Sequence, residues 1–234
     1  IMNTAMPNLK NIPKKNIIGI ATEPPQFLGL TTEFVLYAQK YINKYFIGEK
    51  GNLPAPFIEH FGYMFYMTPL IHLPIKNKCM SIMISQKHYA PGHIYRHTLV
   101  NSILSANLPI DIYGRGCQFY TSLNDPRIKG EFNEGEPYEN YDFHICIENF
   151  MLNHYFSEKI INPLLCSTTP IYLGCKNIKD YFADNVIFLS GNVEKDIILL
   201  TAIIKNPEQY KKNIKLNKIK NKISLIKNID NFFN

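Results

Sequence analysis

HICIENFMLNHYFSEKIINPLLCSTTPIYLG, residues 144–174, carries the alternation that decides the fold. It opens with an apolar run at 144–147, crosses a polar loop, enters an apolar-periodic segment over 157–166, and closes in a second apolar run at 170–173. Two strand-length runs separated by a helix pair in parallel, because the helix carries the chain back along the sheet before the second strand starts. The same rhythm recurs on both sides. Strands are expected at 80–85, 110–113 and 186–189, and helices at 93–106 and 193–205. The middle of the chain therefore reads as α/β, a parallel sheet flanked by helices. Sheets of this kind bind ligands outside the carboxyl ends of their strands, which is where the loop after Ile147 emerges.

Toward the N-terminus, NIIGIA at 16–21 reads as a buried strand stopped by Glu23-Pro24-Pro25, where the two prolines force an extended or turning backbone. A helix is expected over 31–46, with Thr32 as N-cap and Phe34, Leu36, Tyr37, Tyr41 and Tyr45 on its apolar period. A Gly- and Pro-rich loop, an aromatic segment at 57–66 and a linker at 69–78 follow. At the other end, 207–234 places Leu216, Ile219, Ile223, Ile226 and Phe233 among lysines, the pattern of a basic amphipathic helix. Such a helix either packs back on the protein or makes peripheral contact with a membrane surface.

With 234 residues, 46% hydrophobic and 13% aromatic, the chain has enough apolar material for a core. Its net charge of +6 is a property of the tail: 205–234 holds eight lysines against Glu208 and Asp230 (8 − 2 = +6), and the remainder balances at 17 − 17. No basic stripe with interleaved aromatics runs through the body, so no nucleic-acid partner is expected. Five scattered cysteines without a CxxC pair read as buried free thiols. No apolar stretch reaches the roughly 20 residues of a membrane span, and the opening residues lack the apolar core of a signal peptide. A cytoplasmic or membrane-peripheral location is expected if the chain is complete. It starts without an initiator Met, which points to trimmed upstream sequence.

The densest chemistry lies between Glu148 and Lys159. Ser157 can cap the helix that follows, with Glu158 and Lys159 in its first turn. A helix start offers free N–H groups and positive partial charge to a diphosphate, Glu158 can accept from ribose hydroxyls, and Lys159 can meet a phosphate oxygen. Read without a ligand, the same residues are a Ser cap followed by an exposed Glu-Lys pair. The histidines His88, His93, His97, His144 and His154 form no metal-ligand spacing, although His93 and His97 are one helical turn apart, and His154 is expected on a loop surface.

This segment resembles the signature of the α-1,3/1,4-fucosyltransferase family, F-x(4)-E-N-x(5)-Y-x-[ST]-E-K followed by P-I-Y-x-G. Phe143, Glu148, Asn149, Tyr155, Ser157, Glu158 and Lys159 match it, then Pro170, Ile171, Tyr172 and Gly174, with Ser157 where Thr is more usual. Upstream, the helix carrying Tyr95 and Arg96 looks like the family's first donor-domain helix, and IDIYGRG at 110–116 looks like its V-D-x-Y-G strand, with Arg115 the weaker cation. The Glu23-Pro24-Pro25 turn and His60-Phe61-Gly62-Tyr63 are similar to its E-P-P and Y-G-Y segments.

The resemblance implies a GT-B-like fold of two Rossmann-like domains with parallel sheets, the N-terminal one short or truncated. Residues 1–75 would be a reduced acceptor-side domain, 76–206 the nucleotide-sugar domain, and 207–234 the basic C-terminal helix. It implies an inverting, metal-independent glycosyltransferase without a cofactor, whose donor substrate GDP-fucose is held by Arg96, Asn149, Tyr155, Glu158 and Lys159. Glu23 would deprotonate the hydroxyl of an acceptor glycan or glycoprotein. The chain has no Asp-x-Asp pair, Walker loop, GxSxG elbow or HExxH helix. Two other readings stand beside this one: a related transferase using another nucleotide-sugar, and a non-catalytic nucleotide- or carbohydrate-binding module.

Overall fold

A computed structural model describes residues 1–62 and 66–233; Tyr63, which ends the Y-G-Y-like segment, lies outside the described residues. The chain first builds a small parallel sheet from β1 (Ile18–Ile20), β2 (Lys44–Ile47) and β3 (Phe57–Glu59), in the order β1-β2-β3. Between β1 and β2 come the short α1 (Pro25–Leu28) and α2 (Thr32–Tyr41). The helix expected over 31–46 is thus shorter. Thr31, not Thr32, is its N-cap, with its hydroxyl accepting the Phe34 N–H at 3.1 Å. At Ile42 the backbone turns extended, with φ −100° and ψ 132°. Tyr45 continues the helical period in sequence but sits on β2, fully buried, its ring 5.4 Å from Phe34 and 4.9 Å from Phe57. An aromatic run buried on both sides satisfies a helical and a strand pattern alike, and here sheet pairing wins.

The second sheet is larger. It holds β4 (Lys78–Met83), β5 (Ile110–Tyr113), β6 (Ile128–Gly130), β7 (Tyr141–Ile147), β8 (Thr169–Leu173) and β9 (Ile187–Phe188), all parallel, in the order β6-β5-β4-β7-β8-β9. The helices are α3 (Pro91–Ser105), the short α4 (Glu136–Glu139), α5 (Glu158–Leu165), the short α6 (Lys179–Phe182) and α7 (Val193–Lys205). The strand order runs outward from β4 through β6 and then returns to the other side of β4, so the crevice beyond the ends of β4 and β7 is a topological switch point.

Neighbouring residues on β7 and β8 serve opposite cores. Ile145, Ile147, Ile171 and Leu173 pack with Leu99, Val100 and Ile103 of α3 and Leu200 and Ile203 of α7. Cys146 and Tyr172 pack with Ile160 and Leu164 of α5. Burial on both faces is why these strands read as unbroken apolar runs.

The tail is not the single helix expected over 207–234. It is α8 (Pro207–Tyr210), α9 (Leu216–Ile223) and two further turns, Leu225–Asn228 and Asp230–Phe233. Lys211, with φ −57° and ψ 135°, and Ser224, with φ −73° and ψ 111°, interrupt it in extended conformations, and the Ser224 hydroxyl recaps the chain by accepting the Lys227 N–H. Such breaks are stable because each piece anchors separately. Ile219 and Ile223 bury against the α5 side of the large sheet, while Phe232 crosses to the small sheet and meets Phe46 at 4.7 Å between ring centroids. Among the described residues no helix is long and apolar enough to cross a membrane.

Candidate active site

The site starts at the end of β7 with Glu148, whose side chain is fully buried. A carboxylate out of water is tolerated only when donors satisfy it. Here the Ser157 N–H donates to Oε1 at 2.8 Å and the Ser157 hydroxyl donates to Oε2 at 2.7 Å, with the Lys159 ammonium 3.8 Å from Oε2. Lys159 also donates to Glu158 Oε1 at 2.9 Å and to the Ser157 hydroxyl at 3.1 Å. Glu148 therefore locks the strand end to the start of α5.

Burial pushes the Glu148 carboxyl above the usual carboxylate range, with Lys159 opposing it. Burial alone would lower the Lys159 pKa, but Glu148 and Glu158 more than offset this and hold the ammonium above its ordinary value. Burial alone would raise Glu158, and pairing with Lys159 brings it below. The expectation of free N–H groups at this helix start is corrected for three of them, those of Ser157, Lys159 and Ile160. The Ser157 N–H goes to Glu148, the Lys159 N–H to the Ser157 hydroxyl at 3.3 Å, and the Ile160 N–H to the Ser157 carbonyl at 3.2 Å. Positive charge at the site comes from side chains instead.

Two glycines permit the close packing. A Cβ on Gly174 would lie 2.4 Å from Glu148 Cγ, which gives the glycine ending P-I-Y-x-G its physical reason. One on Gly92 would lie 1.7 Å from the Glu148 carbonyl oxygen. Without it, the Gly92 N–H donates to the Asn149 carbonyl at 3.0 Å and the first turn of α3 rests on the end of β7. That contact delivers Arg96. Its guanidinium, 6% exposed, donates from Nε to the Gly92 carbonyl at 3.0 Å and from an η nitrogen to Asn149 Oδ1 at 2.6 Å.

Arg96, Glu158 and Lys159 line two adjoining cavities of about 250 and 350 Å³ beyond the ends of β4, β5 and β7. The larger also takes in Lys87, His93, Arg115 and Asn149. Across the two cavities four cations, Arg96, Lys159, Lys87 and Arg115, face two carboxylates, Glu158 and Glu134, which makes the lining net positive and suited to a diphosphate. Arg115 is loosely held, its side chain 75% exposed and 3.6 Å from Glu131.

Glu23 approaches from the small sheet. Phe27, just beyond its turn, packs edge-on against Phe150 at 5.1 Å and Tyr89 at 5.7 Å, docking the turn on the loops of the large sheet. Burial raises the Glu23 carboxyl pKa, while the charges acting on it are Lys159, Glu158 and Lys87. Tyr155 lies in the contact between the sheets: it is buried, and a Cβ on Gly48 would meet its Cβ at 3.5 Å.

The structure thus brings Arg96, Asn149, Glu158 and Lys159 into one cleft, sets Glu23 within their electrostatic reach, and places Tyr155 beneath. Sequence reasoning left Glu148, Lys87 and His93 out of the site. Glu148 was detectable as the first polar residue after an apolar strand, beside Asn149; Lys87 and His93 carried no comparable signal. His154 is not an open loop position: its backbone N–H donates to Asn177 Oδ1 at 2.7 Å and its Nδ1 lies 2.5 Å from the Tyr181 hydroxyl.

Two buried histidines make stability acid-sensitive. His144 lies under the cleft, Nδ1 2.8 Å from a Ser81 hydroxyl that donates to the Pro137 carbonyl, and burial drives its pKa to about 3. Burial, then Arg96 and Lys87, drive His93 to about 4. Both values lie below 6.5, the ordinary value of the unfolded chain, so the unfolded state binds more protons throughout the interval between. Stability is complete above that value and is lost as pH falls, at about 1.4 kcal/mol per pH unit for His144, with His93 acting in the same direction. Urea midpoints at pH 7 and pH 5 check this; equal midpoints would contradict it.

Residues 73–218, well over half of the chain, match the family model for glycosyltransferase family 10 (fucosyltransferase), C-terminal part. Among solved structures, an α1,3-fucosyltransferase with GDP-fucose is 21% identical over 61% of this chain and 38% of its own, with a TM-score of 0.43. Against the α1,3-fucosyltransferase structures the chain spans 37–47% of their length. S. aureus TarM in complex with UDP is 10% identical over 93% of this chain and 50% of its own, with a TM-score of 0.62. Anabaena HepE in complex with UDP-glucose is 12% identical over 86% of this chain and 65% of its own, with a TM-score of 0.54. The likeness to these last two is one of fold, the α/β architecture with parallel sheets expected of a GT-B protein.

Proposed function

Since the chain belongs to glycosyltransferase family 10, the fucosyltransferases, we propose that it binds GDP-fucose in the cleft of the large sheet and transfers fucose to an acceptor glycan with inversion. The observation that carries this reading is the placement of two cations, the buried Arg96 and the half-buried Lys159, on one cleft wall, with Glu23 of the opposite sheet in the field of Lys159. Arg96, Asn149 and Lys159 hold the diphosphate, and Glu158 accepts from the ribose. The acceptor hydroxyl attacks C1 of the sugar from the face away from the diphosphate and passes its proton to Glu23. The C1–O bond to phosphate breaks, and the departing charge is met by Arg96 and Lys159, fixed donors that need no reorganisation as it develops.

Thermal melting tests the donor. GDP and GDP-fucose should raise the melting temperature and UDP should not, since a ligand that binds only the folded state stabilises it by mass action. A second reading, transfer from a UDP-sugar, takes its support from the UDP and UDP-glucose in TarM and HepE. Equal shifts with UDP would favour it, and no shift with any nucleotide would overturn both.

Charge is tested by substitution. Arg96→Ala and Lys159→Ala should each weaken GDP binding by about 1.5–3 kcal/mol, the range of a hydrogen bond to a charged group. EDTA should leave turnover unchanged, and a strict requirement for a divalent ion would contradict diphosphate neutralisation by side chains alone.

A further inference from the structure

His93 is 3% exposed at the third position of α3, between the turn from β4 and the arginine one helical step on. Helix starts leave backbone N–H groups without partners. Ala90, the residue before the helix, has no side-chain acceptor, and His93 fills that need from within: its Nδ1 accepts the Ala90 N–H at 3.2 Å. A nitrogen that accepts carries no proton, so the neutral ring bears its hydrogen on Nε2. Among the described residues no buried side-chain nitrogen or oxygen lacks a partner, and no protein group takes up Nε2. That atom is therefore accessible, and His93 lines the 350 Å³ cavity with Arg96, Asn149, Lys87 and Lys159.

We infer that His93 donates a hydrogen bond from Nε2 to an oxygen of the bound diphosphate, a donor-binding contact beyond the signature residues. The inference rests on the donor reading above. Beyond burial, Arg96, Lys87 and Lys159 all press on the ring with positive charge, and Tyr89 packs edge-on against it at 4.9 Å. Together with burial they keep the imidazole uncharged at neutral pH, with its pKa near 4. A neutral donor in this place adds a directional bond to an anion without the cost of bringing a further charge beside Arg96 and Lys159. Its ring is held from behind by the Ala90 bond and from the side by Tyr89, so the donor is set before the ligand arrives.

The two ring nitrogens do different work, and amide side chains separate them. Asparagine places its carbonyl near Nδ1 and keeps the Ala90 bond but has no donor where Nε2 lay; glutamine reaches that position with its NH2. The experiment is calorimetric titration of wild type, His93→Asn and His93→Gln with inorganic pyrophosphate and with GDP, alongside their melting temperatures. His93→Asn should melt near wild type yet bind both ligands about 10–100-fold more weakly, the loss of one hydrogen bond to a charged acceptor. His93→Gln should recover most of that affinity even if it melts lower. Wild-type affinity in a folded His93→Asn would overturn the inference and leave the ring a helix cap. If GDP fails to bind the wild type while pyrophosphate binds and loses affinity in His93→Asn, the nucleotide reading fails and this one stands.

Discussion

Glu23→Gln is expected to lower turnover by about 10²–10⁴-fold, the usual contribution of a positioned general base, while the affinity for GDP stays close to wild type. Glutamine keeps the size of the side chain but cannot accept the proton of an attacking hydroxyl. Burial raises the pKa of the Glu23 carboxyl and Lys159 across the cleft restrains that rise. A carboxylate so placed is more basic than one in water yet remains within the field of Lys159 and Lys87. Its turn reaches that site through Phe27, which packs on Phe150 and Tyr89. The measurement pairs GDP titration with a GDP-release assay on the same folded variant. Near-normal turnover would remove Glu23 from the mechanism and leave it a turn residue beside Pro24 and Pro25, with Glu33 and Glu59 the next carboxylates on that side to be tested.

Glu148→Ala is expected to cost about 3–5 kcal/mol of stability, the range for breaking a buried ion pair from one side. Removing the carboxylate strips the Ser157 N–H and hydroxyl of their acceptor and leaves Lys159 with Glu158 as its one carboxylate partner. The start of α5 then loses its polar tie to β7 and keeps only the apolar packing of Ile160 and Leu164 on Cys146, so GDP binding should fall with stability. Glu148→Gln retains one acceptor for Ser157 and should lose less of both. Urea midpoints and GDP titrations on the three proteins check the order. A Glu148→Ala midpoint equal to wild type would mean that Ser157 and Lys159 find other partners.

Legibility varied with how local the cause was. The runs at 144–147 and 170–173 were readable as strands because both faces are buried, which leaves an apolar sequence without alternation. β3 and β6, three residues each with Glu59 and Lys129 among them, carried no such signal. They are edge strands, and edges are short and polar for reasons of solubility rather than core packing. Tyr45 was misassigned because its burial comes from Phe34 and Phe57, partners that a period of 3.6 residues does not represent. In the tail the apolar spacing was legible, but its division was not, since Phe232 is pulled to the small sheet while Ile219 and Ile223 stay on the large one.

At the site, the strand, loop and helix between Glu148 and Lys159 follow from sequence alone, because capping and apolar period are set within about ten residues of one another. Arg96 and Asn149 were each readable as polar residues near strand or helix ends; that they bond to one another at 2.6 Å depends on Gly92 admitting the Glu148 carbonyl. Only tertiary structure decided that the Ser157, Lys159 and Ile160 N–H groups opening α5 are already spoken for, that Glu148 is the carboxylate holding the site together, and that Glu23 lies in the field of Lys159. Protonation, burial and charge pairing are properties of what surrounds a side chain. Those surroundings are supplied by segments far apart in the chain, which no spacing along it encodes.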